Sequence, residues 1–578
     1  MIRKKILLFA TISALGLSSC SDYLDPQELS IIKEGDIYKN MTYIQQMWVN
    51  SYSYLPGGFN SVGNSMLCAA TDESEAVNGT EDIQRFNNGA WYASDMPDNM
   101  WSNYYKGIRQ CCEIIENLPN VTWEEYMESD PLTYQDRMAK MEAYTNEARF
   151  LRAYYYFELV KRYGAVPLVE KKIYLDDDSD LYFVTHVKRN TFEECINYIA
   201  SECDAVVPNL PLSYEDSWLG RATRGAALSL KAKALLYAAS DLYNQAGNEN
   251  PYIGYVSGNQ SDRWLIAAQA ANDVIKLGKY SLHSSYQDLF TLTTNSQSNE
   301  TIFERRLSGT LDIEKNYYSI GFNGGKTGTC PTQNLVDDYE MIDGTLFDWA
   351  NPLQASDPYS NRDPRLKQTI LTNNDVWCGR NMEMWQGGLD AAPRYYATKT
   401  GYYLKKYLHD NVNLVASDLS YTRQWFFMRY AEVLLSYAEA ANQYGGPTYT
   451  VDGGTLSAKD ALDLIRKRAG MPVTDVTFST RGVFMNKTNF NEFVLHERRI
   501  ELAFEDQRWW DSRRTMQGET ALGGAIRKVN VSKDGLSFTY STAKLEDRVF
   551  DKNRMYFYPI PQSEIAKSKG NLVQNPNW

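Results

Sequence analysis

The sequence predicts a mainly α-helical protein: tetratricopeptide-like helix pairs forming a scaffold, interrupted by an irregular, loop-rich inserted region. Three observations carry that prediction. Ala- and Leu-rich segments place apolar residues at helical spacing and stop at Gly or Pro. The helical hairpins recur as units of about 35–45 residues, near the length of a tetratricopeptide unit. Two long stretches, rich in Gly, Asn and aromatic residues, lack any helical period.

In chain order, "MWSNYYKGIRQCCEIIENL" sets Trp101, Tyr104, Tyr105, Ile108 and Cys112 at helical spacing, as a core stripe would. Tyr144–Gly164 carries Ala148, Leu151, Tyr155 and Leu159 on one stripe and ends at Gly164. The next helix takes Asn190 or Thr191 as its cap and breaks at Pro208. Thr223–Tyr243 pairs with Arg263–Leu282; Arg429–Gly445, Ser457–Gly470 and Asn491–Arg514 follow. Stacked helix pairs need neighbours to bury their faces, so these segments form one continuous scaffold, at about 100–282 and 423–514. The irregular regions are about 50–100 and 283–422. A structureless loop as long as the second is improbable. It reads as a folded subdomain of short strands and helices, inserted between the second and third helix pairs.

The first nineteen residues read as a processing signal. Arg3, Lys4 and Lys5 precede an apolar run, Ile6–Leu17, too short for a comfortable membrane span. Leu17-Ser18-Ser19-Cys20 is the order of a bacterial lipobox, which makes Cys20 the expected lipid attachment point and new N-terminus. Residues 20–578 are then a single globular domain. Losing the three basic residues takes the net charge from -13 to -16.

That acidic balance argues against nucleic acid, because phosphate binding needs clustered basic charge. Tyrosine is abundant, at 42 residues, and suits wet interfaces and sugar or base faces. Seven cysteines remain beside Cys20, an odd number with no CxxC spacing. Cys195 and Cys203 sit too far apart on one helix to bridge. At least one thiol is then unpaired in a monomer, and mostly buried, inert cysteines are expected.

Catalytic signatures are missing. "GFNGGKTG" (Gly321–Gly328) approaches a phosphate-binding loop, but the position that needs the first Gly holds Ile320. None of the four His forms HExxH, and no G-x-S-x-G elbow occurs. The run Asp176-Asp177-Asp178 with Asp180 reads as a solvated acidic loop, with calcium as the alternative. No metal or cofactor site is expected. What remains is aromatics in the irregular regions: Phe59, Trp91, Tyr92, Trp101, Tyr317, Tyr318, Trp377, Trp385, Tyr395 and Tyr396. Trp and Tyr stack on the C–H faces of sugars while polar neighbours take the hydroxyls. Trp91 and Tyr92 stand among Arg85, Asn87 and Asn88, which fits that mixture. Core packing is the competing role for each, and the favoured one for Trp101.

Several stretches together resemble the SusD/RagB family of Bacteroidetes outer-membrane lipoproteins. They are Cys20 with "SDYLD", "MWSNYYKGI", "EARFLRAYYYFELVKRYGAVPLV", "LVDDYEMIDG", "RYAEVLLSYAEAAN", "HERRIELAFEDQRWWDSRR", "YPIPQSEI" and the terminal "QNPNW". The order is right and nearly the whole chain is covered. One departure is Asn577, where the family motif has Gly; Asn also tolerates a left-handed backbone. "SDYLD" loosely matches the short tag that sends such lipoproteins to the outer face.

The resemblance implies a monomeric, non-catalytic scaffold at the cell surface. It would capture oligo- or polysaccharide and deliver it to a SusC-like TonB-dependent transporter, acting as its lid. Family members place aromatic platforms in the loop before Trp101 and in the inserted region. The candidate ligand residues are therefore Trp91, Tyr92, Arg85, Asn87, Asn88, Tyr317, Tyr318, Trp377 and Trp385. Arg498, Glu501, Arg508 and Asp511 are expected on one helical face, as an internal ion network. The alternatives are a peptide-capturing member of the family, or a scaffold that binds only protein partners.

Overall fold

The computed structural model describes residues 34–173, 187–292, 297–415 and 421–578. Cys20 with its leader, and the acidic run at 176–180, lie outside them. Of the longer elements, α1 is Met41–Tyr52, β1 Ser74–Ala76, α2 Trp101–Asn117, α3 Pro131–Tyr163, α4 Phe192–Val206, α5 Arg224–Ala239 and α6 Gln260–Lys276. Next come β2 (Thr301–Thr310), β3 (Thr329–Pro331), β4 (Tyr421–Arg429), α7 (Tyr430–Gly445), α8 (Ala458–Ala469), α9 (Lys487–Glu501), α10 (Gln507–Arg514), β5 (Gly524–Asp534) and β6 (Ser537–Arg548).

Local chemistry sets the helix ends. Thr191 opens α4 with a reciprocal capping box to Glu194, and Ser457 opens α8 the same way with Asp460. Helix α3 starts at Pro131, well before Tyr144: Asp130 caps it, and Pro fits the first helical position, where no N–H is needed. Its first turns are polar and exposed, so the apolar stripe alone hides its start. Gly164 closes it at φ +72°.

Each helix packs on the next: α1 on α2, α2 on α3, α3 on α4, α4 on α5 and α5 on α6. The succession continues from α6 directly to α7, although residues 277–429 lie between them, and α7 in turn carries both α8 and α9. Small side chains permit this crossing. Ala267, Ala268, Ala270 and Ala271 of α6 and Ala431, Ala438, Ala440 and Ala441 of α7 are buried in one core cluster. Interaxial distance depends on the side chains at the contact, and alanines allow the near end of its range.

The excursion itself is folded. Strands β2 and β4 form an antiparallel ribbon that pairs Glu304 with Phe426 and Arg305 with Trp425. Strand β3 pairs with β1, and β5–β6 make a hairpin turning at Gly535. Buried ion pairs fasten this region to α8, α9 and the turn after α9. Arg365 reaches Asp363, Glu497 and Glu501; Arg466 reaches Glu340 and Glu497; Arg429 reaches Glu300, Glu501 and Glu505.

The expected single helix over Asn491–Arg514 is two helices. Residues 502–506 break it, with Phe504 and Asp506 at φ +62° and +59°. Arg498 therefore pairs with Asp511 across the break (Nε–Oδ2 3.0 Å), Glu501 joins the Arg365–Arg429 web, and Arg508 meets Asp72. The ion network exists, but not on one helical face. Cys68, Cys111, Cys112, Cys195, Cys203 and Cys330 are buried free thiols, and Cys378 is half-buried and free. Burial pushes the Cys195 and Cys330 thiols up to about 12. Asn577 adopts φ +63°, the conformation a Gly there would take without strain.

Candidate functional site

Most of the aromatics that the sequence nominates are core residues. Trp91 is 1% exposed and packs on Phe86, Tyr558 and Trp578, with ring centroids 5.3, 5.6 and 4.6 Å away. Tyr317 is buried and donates its hydroxyl to the Phe59 carbonyl (2.5 Å). Buried Tyr318 donates to the His409 carbonyl and meets the buried Trp377 edge-on at 5.8 Å. Phe59 and Trp101 are likewise interior. Trp91, Tyr317, Tyr318 and Trp377 thus offer no face to a ligand. In this chain the loops close over their own aromatic cores, and composition does not separate an inward from an outward ring.

The polar candidates around Trp91 are structural too. Arg85 pins the 90–95 turn, donating to the Ala90 and Asp95 carbonyls and pairing with the Asp95 carboxylate at 2.9 Å. Asn87 is buried and donates to the Ala69 carbonyl (3.1 Å) and Gln84 Oε1 (2.9 Å). Asn88 accepts from the Ala90 N–H. Tyr92 does reach solvent, at 54% exposure, with the Arg554 guanidinium 6.0 Å from its ring. Trp385 is half-buried against Phe538, and Lys533 Nζ stands 4.0 Å above its ring.

The strongest outward aromatic feature is a pair that the sequence left among the wider candidates. Tyr395 is 79% and Tyr396 40% exposed, with ring centroids 4.1 Å apart. The Tyr395 hydroxyl donates to that of Tyr396 (3.4 Å), and this bond first of all raises the Tyr396 phenol above its ordinary value. Neighbouring side chains on an extended chain point to opposite faces. Here Tyr396 has φ +62°, which lets both rings share one face.

Backbone bonds hold the pair. Arg394 N donates to Ala391 O, Ala397 N to Arg394 O, and Gly387 N to Ala392 O. Lys399 Nζ donates to the Ala76 carbonyl (3.1 Å) and pairs with Glu75 at 3.4 Å, bringing the loop against residues 76–79. Val77 N in turn donates to Gly328 O (2.9 Å). Three loops therefore meet at the ledge: 77–82, 321–328 and 387–400. The glycines of "GFNGGKTG" serve this junction. A Cβ on Gly325 would collide with the Ser319 carbonyl, and one on Gly321 with the Asp390 carboxylate. Lys326 N and Thr327 N return to Lys315 O and Tyr318 O, folding the segment back on the helix before it rather than into a phosphate cradle.

Among the described residues no group of three His, Cys, Asp or Glu side chains is arranged to hold a metal ion. No described helix is long and apolar enough to cross a membrane.

A helix succession that stays continuous in space past a sheet-bearing excursion, which displays the ledge, defines a tetratricopeptide-like scaffold. The chain belongs to the SusD family: residues 289–578 match the family model described as SusD family. Residues 22–236 match one described as "starch-binding associating with outer membrane". It is 23% identical over 444 residues to SusD-like protein P2 of Formosa agariphila, covering 76% of this chain and 75% of that protein. The fold resembles a crystal structure of a SusD-like protein from Bacteroides fragilis, with TM-score 0.74, 24% identity, and 94% and 99% of the two chains covered. A laminarin-binding SusD-like protein superposes with TM-score 0.62 at 22% identity, covering 93% and 100%. Surface glycan-binding protein A from Bacteroides uniformis gives 0.61 at 19%, covering 93% and 99%.

Proposed function

We propose that the protein is a cell-surface glycan-binding lipoprotein without catalytic activity. It is held at the outer membrane by lipid on Cys20, captures oligo- or polysaccharide on the Tyr395–Tyr396 ledge, and delivers it to a SusC-like TonB-dependent transporter. The ledge carries this reading. Two exposed rings on one face suit the C–H faces of a sugar chain, which stack on aromatics while polar groups take the hydroxyls. The charges beside it are mixed: Lys399 pairs with Glu75, and Glu81 acts on the Tyr396 phenol, which favours a neutral glycan. The "starch-binding" description of the matching family model, and the laminarin-binding and glycan-binding relatives, point to the same ligand class.

The test is retention on a panel of soluble and insoluble polysaccharides, with a peptide mixture as control. A neutral glucan or related glycan should retard the wild type, and Tyr395→Ala/Tyr396→Ala should run freely. Retention by peptides alone would transfer the site to peptide capture. Release of reducing sugar by the pure protein would make it a hydrolase.

A further inference from the structure

Between α3, β4 and the turn entering α10 lies a cleft of ≈ 80 Å³, or ≈ 620 Å³ with its open mouth included. Different loops line it from those of the ledge. Trp425, Trp510 and Tyr104 supply aromatic walls. Three polar side chains there lack a protein partner among the described residues: the Tyr154 hydroxyl, the Trp510 indole N–H and the Gln507 amide. Gln507 is 8% exposed, and its Oε1 is enclosed without a hydrogen bond. Buried polar groups ordinarily find partners, so the enclosed Gln507 Oε1, with the Tyr154 hydroxyl and Trp510 N–H free beside it, calls for a ligand or for water.

The charged lining is internally matched. Glu158 takes Lys161 and Arg162, each at 2.6 Å, and Arg162 Nε also reaches Asp98 at 2.9 Å. Lys233 pairs with Glu432 at 2.8 Å. Asp506 accepts from the Ser61 hydroxyl (2.8 Å) and the Cys68 N–H (3.2 Å). An anion entering would face Asp506, Glu158 and Asp98; a cation would face Lys161, Arg162 and Lys233. The Trp510 ring is already covered by Lys161 and Arg162, at 4.6 and 4.8 Å, so its N–H rather than its face is on offer. A molecule with both donors and acceptors and no net charge meets these requirements.

We propose that this cleft is a second binding site, for a small neutral polyol: a single sugar ring or a shorter polyhydroxylated molecule. The proposal stands whether or not the ledge binds a glycan.

Saturation-transfer NMR with glucose, xylose and glycerol tests it, with acetate and ethylammonium as charged probes. Tyr154→Phe removes one oxygen that has no protein partner, so the fold should survive, which circular dichroism verifies. At least one neutral polyol should bind saturably to the wild type and at least tenfold more weakly to Tyr154→Phe and to Gln507→Leu. The same binding should persist in Tyr396→Ala, which cuts the ledge alone. The proposal is overturned if no neutral polyol saturates, leaving water as the occupant. Equal binding by Tyr154→Phe, Gln507→Leu and the wild type overturns it as well, as does displacement of the polyol by either charged probe.

Discussion

Arg514 and Glu439 meet in the interior as a two-toothed ion pair, Nη1 on Oε1 at 2.5 Å and Nη2 on Oε2 at 2.7 Å, with neither side chain more than 2% exposed. The same guanidinium donates to the Ser240 hydroxyl at the end of α5 (3.0 Å) and to Asp511 (2.7 Å). One side chain thus joins α5, α7 and α10. Removing one partner of such a pair leaves an uncompensated buried charge, at about 3–5 kcal/mol. Glu439→Gln should therefore lower the urea midpoint by that equivalent. The double variant Glu439→Leu/Arg514→Met should recover part of the loss. A Glu439→Gln midpoint equal to wild type would show that the pair contributes nothing to the fold.

Tyr395→Ala and Tyr396→Ala should each weaken glycan binding about five- to thirtyfold, the worth of one stacked aromatic at about 1–2 kcal/mol. Both rings are outward, so unfolding midpoints should stay put. Affinity electrophoresis and chemical denaturation on the same samples make the comparison. Unchanged affinity in both variants would remove the ledge as the site.

Trp91→Ala should behave in the opposite way. Its ring fills a cluster with Phe86, Tyr558 and Trp578, so truncation should cost about 3–5 kcal/mol of stability. Glycan affinity per folded molecule should not move. A stable Trp91→Ala protein with lost affinity would return Trp91 to the ligand surface.

The pH dependence of stability should be set in part by two neighbouring carboxyls shifted in opposite directions. Burial pushes Glu73 from 4.5 to about 8, against the Phe504 N–H and Arg499. Between those values the folded chain keeps a proton that the unfolded chain has released, so this group's contribution falls as pH rises from about 4.5 to 8. Burial would raise Asp72 as well, but Arg499 and Arg508 bring it down to about 2. Its contribution is lost only as pH falls below about 4. Glu73→Gln should flatten the decline between pH 5 and 8 by a few kcal/mol, on the order of 1.4 kcal/mol per pH interval spanned. Denaturant midpoints at several pH values read the slope. An unchanged slope would show that Glu73 ionises normally.

The scaffold was legible because helices write their burial into a 3.6-residue period and their ends into Gly164, Thr191 and Ser457. The inserted region was legible only as an interruption. Its strands are short, and Ser74–Ala76 pairs with Thr329–Pro331 from far along the chain, where no local pattern signals a partner. The site was least legible. Trp91 and Tyr92 are adjacent and chemically alike in sequence, yet one is 1% and the other 54% exposed. What separates them is long-range packing on Tyr558 and Trp578. Tyr395 and Tyr396 stand out only once the left-handed backbone at Tyr396 is seen. The break at 502–506 was hidden because neither Phe504 nor Asp506 is a Gly, although both take left-handed conformations.

The direct seating of α6 on α7 has a consequence for how the chain matures. During synthesis α6 emerges long before its neighbour, and its alanine face must wait, wet, while residues 277–429 are made. The N-terminal helices can stack as they appear, since each contact is with the preceding helix. Closure at α6 requires a loop of that length to be brought back, which is slow compared with local pairing. The two halves of the repeat stack should thus be joined late, and the interval between them is the period in which the nascent protein is open to misassociation.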